Sequence, residues 1–219
     1  MLDYFFILKW YFFGRLKIGR RTRKKAAFEK FNEVLSLLGN GCTVIDAGAN
    51  VGEFTKIFLD KGFTVHAFEP DPIAIVELKN RCKSAENLIL FQSAVGLKNE
   101  TKKLYRYRKF DEANPYSTQG SSLLEYRRGK NKPFVEITVI NLIEYIKKIP
   151  KNLSLLKMDI EGSEVEILNE IINEGLHRNI GNIFVETHER FSHSLGLETA
   201  KLKLKIKKLN INNRNLDWV

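Results

Sequence analysis

Among its 219 residues the chain has only two cysteines, Cys42 and Cys82. Two thiols give neither a disulfide framework nor a zinc-ligand spacing, so a reducing, cytoplasmic setting is the default. No stretch reaches the 18 or so apolar residues that a membrane-spanning helix needs. A cleavable secretory leader is not expected either, because the apolar N-terminal segment precedes its positive charge instead of following it. There is no internal repeat. Positive charge is scarce where a fold would lie: residues 31–200 sum to −2, although the whole chain carries +10. The surplus sits at the ends, with nine Lys/Arg against two acids in residues 1–30 and six against one in 201–219. That distribution argues against a nucleic-acid enzyme whose catalytic face is itself basic, so no nucleic-acid partner is expected. It leaves room for a basic tail on anionic lipid.

What is present suits one sizeable core, with 43% hydrophobic and 28% charged residues. Residues 1–25 stand apart as an aromatic and basic segment. Tyr4, Phe5, Phe6, Trp10, Tyr11, Phe12 and Phe13 precede Arg15, Lys17, Arg20, Arg21, Arg23, Lys24 and Lys25. Rings flanked by cations suit a membrane interface, so contact with a membrane surface is expected through this segment. A helix packed on the domain or on a second subunit fits the same composition. The domain proper is read as residues 26–219, opening with an amphipathic helix over 24–38.

The centre of the sequence is Thr43-Val44-Ile45-Asp46-Ala47-Gly48-Ala49-Asn50-Val51-Gly52. A β-branched run ends in an acid, a glycine-bearing turn follows, and helical spacing resumes at Gly52. The pattern predicts strand, tight loop and helix, with the loop at the carboxyl end of a parallel strand where open α/β sheets bind ligands. A second apolar run ends at Glu69-Pro70-Asp71, about the distance at which an acid holds ribose hydroxyls. The loop is not G-x-G-x-x-G, because Asp46 and Asn50 stand where glycines would be. Asp46, Gly48, Ala49, Asn50 and Gly52, with Glu69 and Pro70, instead resemble the cradle for S-adenosylmethionine in Rossmann-like methyltransferases.

Further strands are expected at 88–91, 101–108, 134–139, 153–158 and 182–185, with helices between several of them. Alternation of this kind implies a doubly wound, mostly parallel sheet. Ser93 and Ala94, at the third strand's tip, would border an adenine, or form a simple turn. Residues 109–133 are polar and long for a loop, which suits a mobile lid or substrate loop centred on Gly120-Ser121-Ser122, or a disordered insertion. Three candidate catalytic residues follow. Asp159 and Glu161, two apart, point the same way if their strand persists, and His188 sits with Glu186 at the fifth strand's tip. Such a cluster could deprotonate an acceptor hydroxyl, grip a sugar or bind a divalent cation. The expectation is a base without a metal. Acids at the start of a helix also serve as caps, so a structural role for 159–164 stays open.

Taken together, Val44 to Gly52, Phe68-Glu69-Pro70, Ala94-Val95-Gly96, Lys157-Met158-Asp159-Ile160-Glu161-Gly162-Ser163-Glu164 and Val185-Glu186-Thr187-His188 resemble the FkbM-type methyltransferases over about residues 40–190. The resemblance implies an α/β, Rossmann-like class I methyltransferase fold. It implies S-adenosylmethionine as cofactor, its methionine part near residues 46–52 and its ribose near Glu69. It implies O-methylation of a sugar, glycan, glycolipid or natural product. Seven-stranded members close with an antiparallel hairpin. Here little chain follows about residue 208, so an incomplete hairpin is expected. Two rival readings stay open: a non-catalytic subunit of the same fold, tethered by its basic ends, and an NAD-dependent oxidoreductase.

Overall fold

The computed structural model describes residues 2–83, 85–106, 109–124, 133–149 and 152–218. Its main sheet takes strands β1 (Thr43–Ala47), β2 (Thr64–Phe68), β3 (Leu88–Phe91), β7 (Leu153–Met158), β8 (Ile180–Val185) and β9 (Arg214–Asn215). Their spatial order is β3-β2-β1-β7-β8-β9, and every pairing is parallel. All five residues of β1 are buried, as continuous apolar runs require when helices cover both faces.

Side chains alternate between two cores. Ile45, Leu156, Ile183 and Val185 face a cluster with Ile143, Val165, Ile167 and Leu202. These come from α5 (Leu142–Lys148), α6 (Glu164–Asn173) and α7 (His193–Lys208). Val44, Val65, Leu155 and Phe184 face the other cluster, with Phe31, Phe58 and Leu78. Those belong to α2 (Arg20–Leu37), α3 (Glu53–Asp60) and α4 (Pro72–Arg81). Trp218 closes this second core, its ring 4.1 Å from Phe31, 5.2 Å from Phe54 and 5.6 Å from Phe184. Helix α1 (Leu2–Arg15) lies on α7.

Two expectations are corrected. Ala94–Gly96 is a short strand, β4, not a turn, and it leaves the main sheet. With β5 (Glu100–Tyr105) and β6 (Phe134–Asn141) it forms a second sheet in the order β4-β6-β5. The strand expected over 101–108 therefore ends at Tyr105, and residues 107–108 lie outside the described residues. In the stretch expected as a lid or substrate loop, Pro115–Thr118 form a 3-10 turn capped by the Asn114 side chain, and Ser122 bridges to Tyr105. Residues 125–132 lie outside the described residues. The sheet closes with β9, parallel to β8 and two residues long. Among the described residues no antiparallel hairpin follows it. Beside β9 the Asn213 side-chain amide donates to the carbonyls of Ile180 and Gly181, at 2.6 and 2.9 Å.

Candidate active site

The β1 loop is held by a buried ion pair. Asp46 and Lys157 are register partners on neighbouring strands, and Lys157 Nζ lies 3.0 Å from Asp46 Oδ1. The same ammonium donates to the Gly48 carbonyl at 2.8 Å, while Thr55 Oγ1 donates to Asp46 Oδ2 at 2.7 Å. Burial alone would pull the Lys157 ammonium down, but Asp46, Asp159 and Glu69 outweigh it and hold its pKa up. Gly48 has φ +78°, and a Cβ there would stand 1.9 Å from the Asp159 carbonyl oxygen. Only glycine lets the two loops approach this closely.

Glu69 ties the tip of β2 to this loop. Its two carboxylate oxygens accept the amides of Asn50 and Asp71, each at 2.8 Å. Burial pushes its pKa up to about 8, against the pull of the Asn50 amide and Lys157. Asp71 then caps α4 by accepting the Ile73 amide at 2.9 Å and pairs with Arg106. Asn50, itself at φ +48°, donates through Nδ2 to Thr118 Oγ1 at 2.9 Å. That bond brings the 109–124 segment over the loop.

The tips of β7 and β8 meet around one imidazole. His188 Nε2 lies 3.6 Å from Glu161 Oε2, 3.8 Å from Asp159 Oδ1 and 4.0 Å from Glu186 Oε1. Its Nδ1 is 2.8 Å from Glu164 Oε1, and Phe191 stacks on the ring at 4.6 Å. Glu164 is fully buried and also accepts the amides of Ile160 and Gly162, at 3.0 and 2.9 Å. Burial pulls the His188 pKa down, but the Glu164 hydrogen bond and the charges of Glu164, Glu161 and Asp159 carry it up to about 9. The ring is therefore a cation at neutral pH. Burial raises the Asp159 pKa, opposed by Lys157 and His188. One atom each of Asp159, Glu161 and His188 could serve a metal ion, all within 4.8 Å of one another.

These parts enclose a cavity of about 340 Å³. Of the residues singled out in the sequence, Gly48, Ala49, Asn50, Glu69, Pro70 and Ala94 line it, together with Asp159 and Glu161. Asp46 and His188 stand behind the wall at 0% and 1% exposure, and Ser93 is buried at 3%. Gly52 starts α3 at φ +81° and packs on Leu78, off the cavity. Of the expected loop contact, Gly120 and Ser121 reach the cavity, whereas Ser122 turns inward and donates to the Glu161 carbonyl at 2.8 Å.

Sequence reasoning gave no role to Lys157 or Thr118, and for Glu164 left open only a capping one. For Lys157 a signal existed: one lysine inside the apolar strand Leu153–Met158 needs a buried anion. Thr118 offered none, since its partner Asn50 lies 68 residues away.

Residues 46–202 match the family model described as the Methyltransferase FkbM domain. A protein of Beauveria bassiana (strain ARSEF 2860) named Methyltransferase 1 is 23% identical over 191 residues, 80% of this chain and 75% of its own length. Among solved structures, an rRNA methylase from Streptococcus thermophilus matches 81% of this chain and 76% of its own, with 13% identity and a TM-score of 0.44. A TehB-like SAM-dependent methyltransferase from Corynebacterium glutamicum ATCC 13032 Kitasato matches 76% and 66%, with 14% identity and a TM-score of 0.36.

Proposed function

The chain belongs to the FkbM methyltransferase family, and from that footing we propose that it moves the methyl group of S-adenosylmethionine onto a hydroxyl of a sugar, glycan, glycolipid or natural product. The observation that carries this reading is the charge of the cavity wall. Glu53, Asp159, Glu161 and Glu186 border the cavity. Glu69, with its pKa pushed up to about 8, adds no full charge at neutral pH. The two cations there, Lys157 in the wall and His188 behind it, are already paired with the buried Asp46 and Glu164. An anionic wall of this kind complements a sulfonium cation. Gly48, Ala49 and Asn50 would hold the amino-acid end of the cofactor, with Glu69, Pro70 and Ala94 around its nucleoside. When bound, the cofactor supplies an activated methyl group for in-line displacement.

The chain's own residues supply alignment and a proton acceptor. Asp159 has its pKa raised by burial and faces the cavity, so its carboxylate suits the proton of an acceptor hydroxyl. His188, charged and held by Glu164, positions Asp159 and Glu161 and limits their mutual repulsion. Thr118 and its neighbours Gln119, Gly120 and Ser121 form one side of the cavity, tied to the β1 loop through Asn50.

Calorimetry of the purified chain with S-adenosylmethionine, its demethylated product and NAD tests the cofactor. Micromolar binding of the first two without NAD is the expected result, followed by transfer to a sugar or glycolipid in an acceptor screen. Preference for NAD would overturn the reading. Cofactor binding with no transfer to any hydroxyl acceptor would favour a non-catalytic subunit.

A further inference from the structure

Helix α1 has two apolar faces, and only one is covered. Phe6 and Trp10 lie toward α7, where Lys207 Nζ stands 4.8 Å from the Phe6 ring and Lys203 Nζ 4.4 Å from the Trp10 ring. Leu2, Phe5, Phe12 and Leu16 recur at helical spacing on the other face. They are 86%, 61%, 49% and 65% exposed. The helix continues as far as Leu16, whose amide donates to the Phe12 carbonyl. Among the described residues no helix is long and apolar enough to cross a membrane. The stripe can therefore lie along an apolar surface but not pass through one.

Charge selects the occupant. Residues 2–28 hold eight Lys/Arg against one acid, Asp3, and Asp3 is already paired with Lys208. Lys9 sits exposed within the stripe, and Lys17, Arg21 and Lys25 stand exposed just beyond it. A second copy of the chain would bring the same charge against itself. A bilayer with anionic headgroups offers the opposite charge and an apolar layer at the depth of phenylalanine rings.

The stripe also has a fixed relation to the cavity. A Cβ on Gly14, near the end of α1, would meet Glu189 Cγ at 2.4 Å, so helix and β8 tip touch. Arg15 Nη1 donates to the Arg190 carbonyl at 2.8 Å, and Arg20 Nη2 lies 3.5 Å from Glu186 Oε1. Glu186 is itself a cavity residue. We infer that the Leu2–Leu16 face docks on an anionic lipid bilayer and holds the cavity at the headgroup layer, where the acceptor hydroxyl belongs to a membrane lipid. The statement about the acceptor rests on the function proposed above; the docking does not.

The full chain is spun with vesicles of phosphatidylcholine alone and with vesicles containing one third phosphatidylglycerol. It should pellet with the second and stay in solution with the first. Phe5→Asp with Phe12→Asp should lower the partition coefficient by at least about tenfold, with cofactor affinity and melting temperature unchanged as the check on folding. Hydrogen exchange on the vesicles should slow amides in 2–18 and around 186–190. Absence of pelleting, equal pelleting of the double variant, or protection on a different face would each overturn the inference. So would a concentration-dependent dimer, abolished by the same substitutions, without vesicle binding. Failure of the cofactor to bind in calorimetry would instead strike the proposed function and leave the docking result standing.

Discussion

Lys157 and Asp46 face each other across adjacent parallel strands, joined in backbone register and by a 3.0 Å ion pair sealed from solvent. The pair fixes where β1 ends and its loop begins, because the same ammonium also holds the Gly48 carbonyl. Removing one partner leaves the other charged and buried. Lys157→Met should therefore cost about 3–5 kcal/mol, measured by urea unfolding. Adding Asp46→Leu should recover much of that loss. A double variant no more stable than the single would show that the pair does not carry the stability.

Gly48→Ala combines a left-handed φ with a Cβ 1.9 Å from backbone that cannot yield. The strain moves the Asp159 loop, so cofactor binding should disappear and the melting temperature should drop. Gly52→Ala meets the flexible side chain of Leu78 at 2.9 Å, and although its φ is also positive the cofactor should still bind, more weakly. Calorimetry on both variants checks the order. Equal affinities for the wild-type chain and Gly48→Ala would remove the loop from the site.

Asp159→Asn keeps the shape of the wall and removes its proton acceptor. Cofactor affinity should stay within about threefold while turnover falls by roughly 10²–10⁴. Single-turnover transfer at saturating cofactor measures it. An undiminished rate would leave Asp159 as a cap and pass the proton to another group.

The His188 cluster makes stability depend on pH. The folded pKa of about 9 lies above the ordinary 6.5. Its contribution is present in full below pH 6.5 and is lost as pH rises through 9, on the order of 3 kcal/mol in all. Glu186, pushed up to about 7 chiefly by its burial and by Asp159, loses its own contribution lower, between about pH 4.5 and 7. Glu69, pushed up to about 8 by burial, loses its contribution between about pH 4.5 and 8, so it is the part of the thermal-melt series from about pH 8 to 9.5 that belongs to the histidine. His188→Gln should flatten that slope. A slope that persists in the variant would assign the dependence elsewhere.

Much of the fold could be read from the sequence because the central strands are apolar runs that stop at an acid: Val44-Ile45 before Asp46, Ala67-Phe68 before Glu69. The glycine loop announced itself through residue type, and the charged positions near strand ends through their spacing. Which of them face the cavity was not legible. Asp46 and Asp159 look alike as letters, yet one is a buried counter-ion and the other a wall residue, a difference set by where each strand stops. The second sheet escaped notice because β4 is three residues long and its partner β6 lies 45 residues on, with Ala94 beside Val139. Trp218 offered a large apolar residue in a polar tail, but its partners Phe31, Phe54 and Phe184 come from three distant segments.

The outer border of the main sheet is short. Strand β9 spans two residues, and the Asn213 amide occupies the β8 carbonyls that lie beyond it. An open, flat strand would invite a neighbouring molecule to add its own backbone and begin a fibril. Here the invitation is nearly closed, since two residues of ladder offer too little template and the next acceptors are already taken by a side chain. At this border, edge-to-edge pairing between copies of the chain has little backbone to start from.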